Sequence, residues 1–171
     1  MIVLFCGLPG VGKTTLAEAV APLIDAIVLS TDKIRKELIP KPTYTVEEKS
    51  LVYNVMLLVA KYLHGAGVNC ILDATFNTER SRREAIDKLG IKRPQLHIVE
   101  CLCPEDMAIE RLKSRKGDYS DADVSVYKSM KQLYEPVKED HIIVYTSRSP
   151  EINAKEVKLK ILNRNESQKT T

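Results

Sequence analysis

Histidine is scarce in this chain: His64, His97 and His141 are scattered and share no local spacing, which leaves a catalytic triad or a zinc site without support. Cysteine is sparse too. Cys6, Cys70, Cys101 and Cys103 lie in or beside apolar runs and form no Cys-x-x-Cys pair, so they read as buried thiols, with no structural metal or disulfide expected. No apolar run approaches the roughly 18 residues of a membrane-spanning helix, and the first residues lack a charged start followed by a cleavable apolar segment. The sequence therefore reads as cytoplasmic with no membrane partner. Internal repeats and low-complexity stretches are absent as well.

What is present suits one domain. The 171 residues are 44% hydrophobic and 29% charged, with a formal net charge of +3 that gives only a weak hint of an anionic partner. Apolar runs at 2–5, 26–30, 68–74, 95–102 and 141–145 alternate with helical patterns. Such alternation predicts an α/β fold: a parallel sheet with right-handed crossovers and helices on both faces. Ligands of such sheets gather at the carboxyl ends of the strands. Helices are expected at 15–24, 33–38, 45–65, 78–89, 104–116 and 151–163, and another is expected to run from a Ser120/Asp123 capping box to Glu135. We expect a single domain over 1–163 with a lid at about 114–122, and a polar tail at 164–171 that frays.

The first strand runs into Gly7-Leu8-Pro9-Gly10-Val11-Gly12-Lys13-Thr14-Thr15, which fits the spacing G-x-x-x-x-G-K-[ST] of a P-loop (Walker A). The glycines let backbone amides approach phosphate oxygens, Lys13 can reach the β and γ groups, and Thr14 can offer its hydroxyl to magnesium. The implied ligand is a nucleoside triphosphate. Asp73 closes the apolar run Cys70-Ile71-Leu72, as a magnesium-supporting acid does, although a carboxylate there could also cap the next helix. In STDKIRKEL, Asp32 and Arg35 lie one turn apart on one helical face. They could orient an acceptor hydroxyl and hold the acceptor, or they could form an ordinary helix start with a local ion pair. Arg111 and Arg115 precede a glycine-containing stretch and suit either a lid over the triphosphate or a basic helix end. Arg80, Arg82 and Arg83 place positive charge at a helix start, where it is unfavourable; an anionic substrate could explain that, or local compensation by Glu79 and Glu84.

Four segments together, GLPGVGKTT, STDKIRKEL, ILDATFNTERSRREA, and ERLKSRK followed by SDADVSVYKSM, resemble the AAA_33 group of P-loop kinases. That group is similar to polynucleotide 5′-hydroxyl kinases, zeta toxins, gluconate kinases, chloramphenicol phosphotransferase and seryl-tRNA kinase. The resemblance implies a sheet order 2-3-1-4-5, ATP and Mg2+ as cofactors, and γ-phosphoryl transfer to a hydroxyl of a small metabolite or a nucleic-acid 5′ end. It implies that Asp32 is the base, that Arg35 helps hold the acceptor or its leaving geometry, that Arg115 lies over the phosphates and that Arg111 lies near the ATP. One departure stands out: Tyr145-Thr146-Ser147 lacks the acidic residue the family often has after its last strand. The rival classes are a nucleotide switch or ATPase without an acceptor, and a nucleic-acid-binding module. A nucleoside monophosphate kinase fits poorly, because residues 36–62 contain no arginine to clamp an acceptor phosphate.

Overall fold

The computed structural model describes residues 1–91, 95–114 and 120–167. Among these, the chain runs β1 (Ile2–Cys6), α1 (Lys13–Val20), β2 (Ala26–Ser30), α2 (Thr31–Leu38), α3 (Val46–Gly65), β3 (Asn69–Asp73), α4 (Glu79–Leu89), β4 (Leu96–Leu102), α5 (Glu105–Ser114), α6 (Val124–Gln132), β5 (Ile142–Tyr145) and α7 (Pro150–Ser167). The strands form one all-parallel sheet in the order β2-β3-β1-β4-β5. This is the expected P-loop order, with β1 central.

Because side chains alternate across a strand, β1 feeds two cores. Val3 and Phe5 pack with Leu16, Ala17 and Val20 of α1 and with Ala154, Val157 and Ile161 of α7. Ile2, Leu4 and Cys6 face Met56, Leu57 and Ala60 of α3 and Ala85 and Leu89 of α4. All five β1 residues are fully buried, so the strand that launches the P-loop is the most enclosed part of the sheet. Register then sets the rim: Phe5 pairs with Asp73, and Asp73 with Ser30. The ends of β1, β2 and β3 therefore lie side by side.

Helix ends that differ from the sequence reading include those of α2, α6 and α7. Helix α2 starts at Thr31, not Lys33, and the Ser30 hydroxyl serves the Asp73 carboxylate instead of capping the helix. In α6 the cap is Asp123 itself, whose carboxylate accepts from Ser125 N and Val126 N; the Ser120 capping box does not form, and the helix stops at Gln132. A carboxylate is the stronger acceptor there. The residues expected to extend α6 are instead gripped by Arg82, which donates to the carbonyls of Glu135 and Pro136. Helix α7 continues to Ser167, where a fraying tail was expected, and Arg164 ties it back to the His141 carbonyl and to Asp140. The expected lid at 114–122 falls largely on residues 115–119, which lie outside the described residues.

Candidate active site

The connection from β1 to α1 is held by backbone that tolerates only glycine at two points. Gly7, at φ +138°, has its Cβ position 2.5 Å from the Cys101 carbonyl oxygen of β4. Gly10, at φ +77°, has it 2.7 Å from the Ala108 carbonyl and 2.8 Å from Leu112 Cγ on α5. These glycines are therefore required by packing against β4 and α5, in addition to leaving backbone amides open to phosphate. Gly7 N also donates to the Thr75 carbonyl (3.1 Å), which ties the loop to the end of β3.

Lys13 opens α1 and is nearly buried, with Nζ donating to the Leu8 carbonyl at 2.8 Å. Burial lowers its pKa, and the neighbouring Asp73 opposes that shift. Thr14 Oγ1 donates to Asp73 Oδ2 at 2.7 Å. Burial raises the Asp73 pKa, against the pull of Lys13 and of the Thr14 and Ser30 hydroxyls. Helix α4 is capped by Thr78 in a box with Ser81, which frees Asp73 from the capping role open to it in the sequence. A hydroxyl beside one carboxylate is a hard oxygen donor set of the kind that takes magnesium together with substrate phosphates. No cluster of three or more His, Cys, Asp or Glu able to hold a metal occurs among the described residues.

Asp32 lies in the first turn of α2, close enough to Lys13 and Asp73 to influence both electrostatically. It makes an ion pair with Arg35 at 3.1 Å and keeps a side chain 35% exposed. Arg35 is buried, and its Nε meets Glu48 Oε1 of α3 at 3.0 Å. Sequence reasoning missed Glu48. The available signal was Thr45 three residues before it, a capping-box spacing. Thr45 does cap α3 by accepting from Glu48 N, but the Glu48 carboxylate turns to Thr43 N, Thr43 Oγ1 and Tyr44 N as well as to Arg35. Burial alone would raise the Glu48 pKa; those hydrogen bonds and Arg35 outweigh it and hold the carboxyl below its ordinary value.

Arg111 reaches Thr146 from α5, with Nη2 donating to the Thr146 carbonyl at 2.8 Å and Nη1 to its hydroxyl at 3.3 Å. The Thr146 hydroxyl donates in turn to the Val11 carbonyl, so the end of β5 is fastened to the P-loop. A cleft of about 340 Å³ opens beside Gly12, Thr15, Arg111, Thr146, Arg148 and Asn153. Arg115 lies outside the described residues.

The Arg80, Arg82 and Arg83 cluster serves the fold. Arg82 is fully buried and donates to the carbonyls of Phe76, Glu135 and Pro136, while Arg80 pairs with Glu84 and Arg83 with Glu79. Local compensation accounts for these charges. The cysteines are all free thiols, and no helix among the described residues is long and apolar enough to cross a membrane.

An all-parallel 2-3-1-4-5 sheet whose first strand ends in GLPGVGKTT defines a P-loop NTPase fold. The family model AAA_33, described as an AAA domain, matches residues 2–137, and the chain belongs to that family. An uncharacterized protein, Rv2004c of Mycobacterium tuberculosis, is 30% identical over 132 residues; the match takes in 70% of this chain and 26% of that protein's length. The chain thus corresponds to about a quarter of that longer relative. Among solved structures, a sugar kinase from Janibacter sp. HTCC2649 superposes with TM-score 0.72 at 20% identity, covering 95% of this chain and 94% of the other. The Mycobacterium tuberculosis APS kinase CysC, in complex with AMPPNP and APS, superposes with TM-score 0.70 at 24% identity, covering 95% and 96%.

Proposed function

We propose that this protein is an ATP- and magnesium-dependent kinase that transfers the γ-phosphoryl group to a hydroxyl, with a small metabolite or a nucleic-acid 5′ end as the acceptor class. The observation that carries this reading is Asp32: a carboxylate on the P-loop rim, beside Lys13 and the Thr14/Asp73 pair, with no capping duty. An ATPase would turn such a carboxylate on water instead of an acceptor hydroxyl, and the fate of the label separates the two. The sugar kinase and APS kinase folds support a kinase, and the AMPPNP held by CysC supports a nucleotide at the loop.

In this reading the loop amides and Lys13 fix the β and γ phosphates, and Arg111 with the adjoining cleft takes the base and ribose. Thr14 and Asp73 would hold Mg2+, whose chemistry would be to neutralise the negative charge that develops on the phosphates. Asp32 accepts a hydrogen bond from the acceptor hydroxyl and takes its proton as the new oxygen–phosphorus bond forms. The bond from the γ phosphorus to the bridging oxygen breaks and ADP leaves. Arg35 fixes the Asp32 carboxylate so that it points at the acceptor. Arg115, from the expected lid, is assigned to the transferring group on the family resemblance. The chain acts by positioning and electrostatics and forms no covalent intermediate.

A transfer assay with γ-labelled ATP against sugars, polyols, nucleosides and 5′-hydroxyl oligonucleotides tests this. Label should move to one class, and Asp32→Asn should lower transfer at least about 10²-fold. Turnover to inorganic phosphate alone, unchanged by Asp32→Asn, would favour the ATPase reading.

A further inference from the structure

Helix α3 turns one face inward and leaves an apolar row on the other. Glu48, Val52, Met56 and Ala60 recur every fourth residue on the inner face and are buried. On the outer face Leu51, Val55, Leu58 and Tyr62 follow one another by four, three and four residues, the spacing that keeps a coiled-coil seam in line along a helix. Leu51 is 52% exposed, Leu58 56% and Tyr62 74%, with Val55 half-buried between them. Ile27 on the edge strand β2 widens this surface. It pairs in register with Cys70, whose side chain packs beneath α3, so Ile27 leaves the sheet on the α3 side, 47% exposed. A contiguous apolar row of this kind marks an interaction surface.

The polar residues beside the row say what covers it. Glu47, Asn54 and Lys61 recur every seven residues along one flank, so that flank is acidic at the start of α3 and basic near its end. Asn54 accepts from Lys88 Nζ of α4 at 2.7 Å, and Lys88 itself is exposed at the rim, where solvent screens it. Such a row complements itself head to tail. With a second α3 laid antiparallel across the first, Leu51 meets Tyr62 of the second copy and Val55 meets Leu58 of the second copy, each contact made twice about a twofold axis. The same register sets Glu47 opposite Lys61 of the second copy, again twice, and runs the two helix dipoles in opposite directions. A parallel pairing would instead set Glu47 level with Glu47 and Lys61 level with Lys61. The apolar row of α7, Ile152, Leu159 and Leu162, is interrupted by the exposed Lys155.

We infer that the outer face of α3 is a homodimer interface, in which two copies of this chain pair antiparallel about an axis that passes between Val55 and Leu58. The 20 residues of α3 span about 30 Å, so the contact belongs at the small, reversible end of protein interfaces. The row contains no P-loop residue, and its test is independent of the kinase reading.

Sedimentation equilibrium of the full chain, at concentrations up to the order of 100 µM, reads the dimer directly. The native chain should approach twice its 19.2 kDa. Leu58→Lys, at the centre of the row, should raise the dimer Kd at least about 10²-fold while far-UV circular dichroism and Mg-ATP affinity stay unchanged. Tyr62→Lys gives the same readout should Leu58→Lys fail to fold. The charge pairs are tested at low salt, where they are least screened. Glu47→Lys alone and Lys61→Glu alone should each weaken the dimer about tenfold, because both opposed pairs become like-charged. An equimolar mixture of those two variants should form a heterodimer of native affinity, since each chain then meets its opposite.

A chain that stays monomeric throughout this range overturns the inference, as does a dimer that Leu58→Lys leaves intact. A dimer lost in Leu58→Lys but indifferent to both charge substitutions overturns the antiparallel pairing, and the inference with it.

Discussion

Glu48 shows what a single residue contributes and how far it can be read in advance. As a letter in the sequence it is one more glutamate in a helical first turn, and the capping-box spacing points it at the backbone of Thr45. Its actual partners, Arg35 and the backbone of Thr43 and Tyr44, come from a neighbouring helix and an irregular loop that no periodicity describes. Asp32 and Arg35 were legible because they share one helical face three residues apart. The Glu48 pKa is depressed in the folded chain, so its stabilisation is present above the unfolded value and is lost as pH falls through the folded value. Glu48→Gln should therefore be less stable than the native chain at neutral pH. The gap should narrow as the pH drops below the ordinary glutamate value of about 4.3. Urea denaturation at a series of pH values checks this; a gap independent of pH would remove Glu48 from the acid response.

At the scale of elements, the P-loop was legible in full because its glycines, lysine and threonine keep fixed spacings, but the reason for two of its glycines was not. Gly7 and Gly10 are pinned by β4 and α5, a contact that exists only once strands 1 and 4 are paired. Gly7→Ala puts a methyl group 2.5 Å from a backbone carbonyl at φ +138°. It should destabilise the fold by about 1–3 kcal/mol, visible as a lower urea midpoint without a change of slope. The basic run at 80–83 left two readings open, an anionic substrate or local compensation, and burial with carbonyl partners makes Arg82 a clamp between α4 and the segment after α6. Sequence charge carries no information on depth. The same clamp explains why α6 ends short of Glu135.

For the whole molecule, alternation of strands and helices predicted a parallel sheet, and only the family resemblance supplied its order, since strand periodicity is blind to neighbours. That order brings Lys13, Thr14, Asp32 and Asp73 to one rim from three strands. A triphosphate bound there stabilises only the folded chain. At about 100 times its Kd, Mg-ATP should add about 2.7 kcal/mol and raise Tm, whereas Lys13→Ala should show less of the increase. The central claim is that Asp32 directs the γ-phosphoryl group to a hydroxyl, and single-turnover transfer from γ-labelled Mg-ATP in the presence of the hydroxyl acceptor that the transfer assay selects tests it most directly. The native chain should place label on the acceptor, and Asp32→Asn should do so at least about 10²-fold more slowly while binding Mg-ATP with nearly unchanged Kd. Equal transfer by the two proteins would contradict the account.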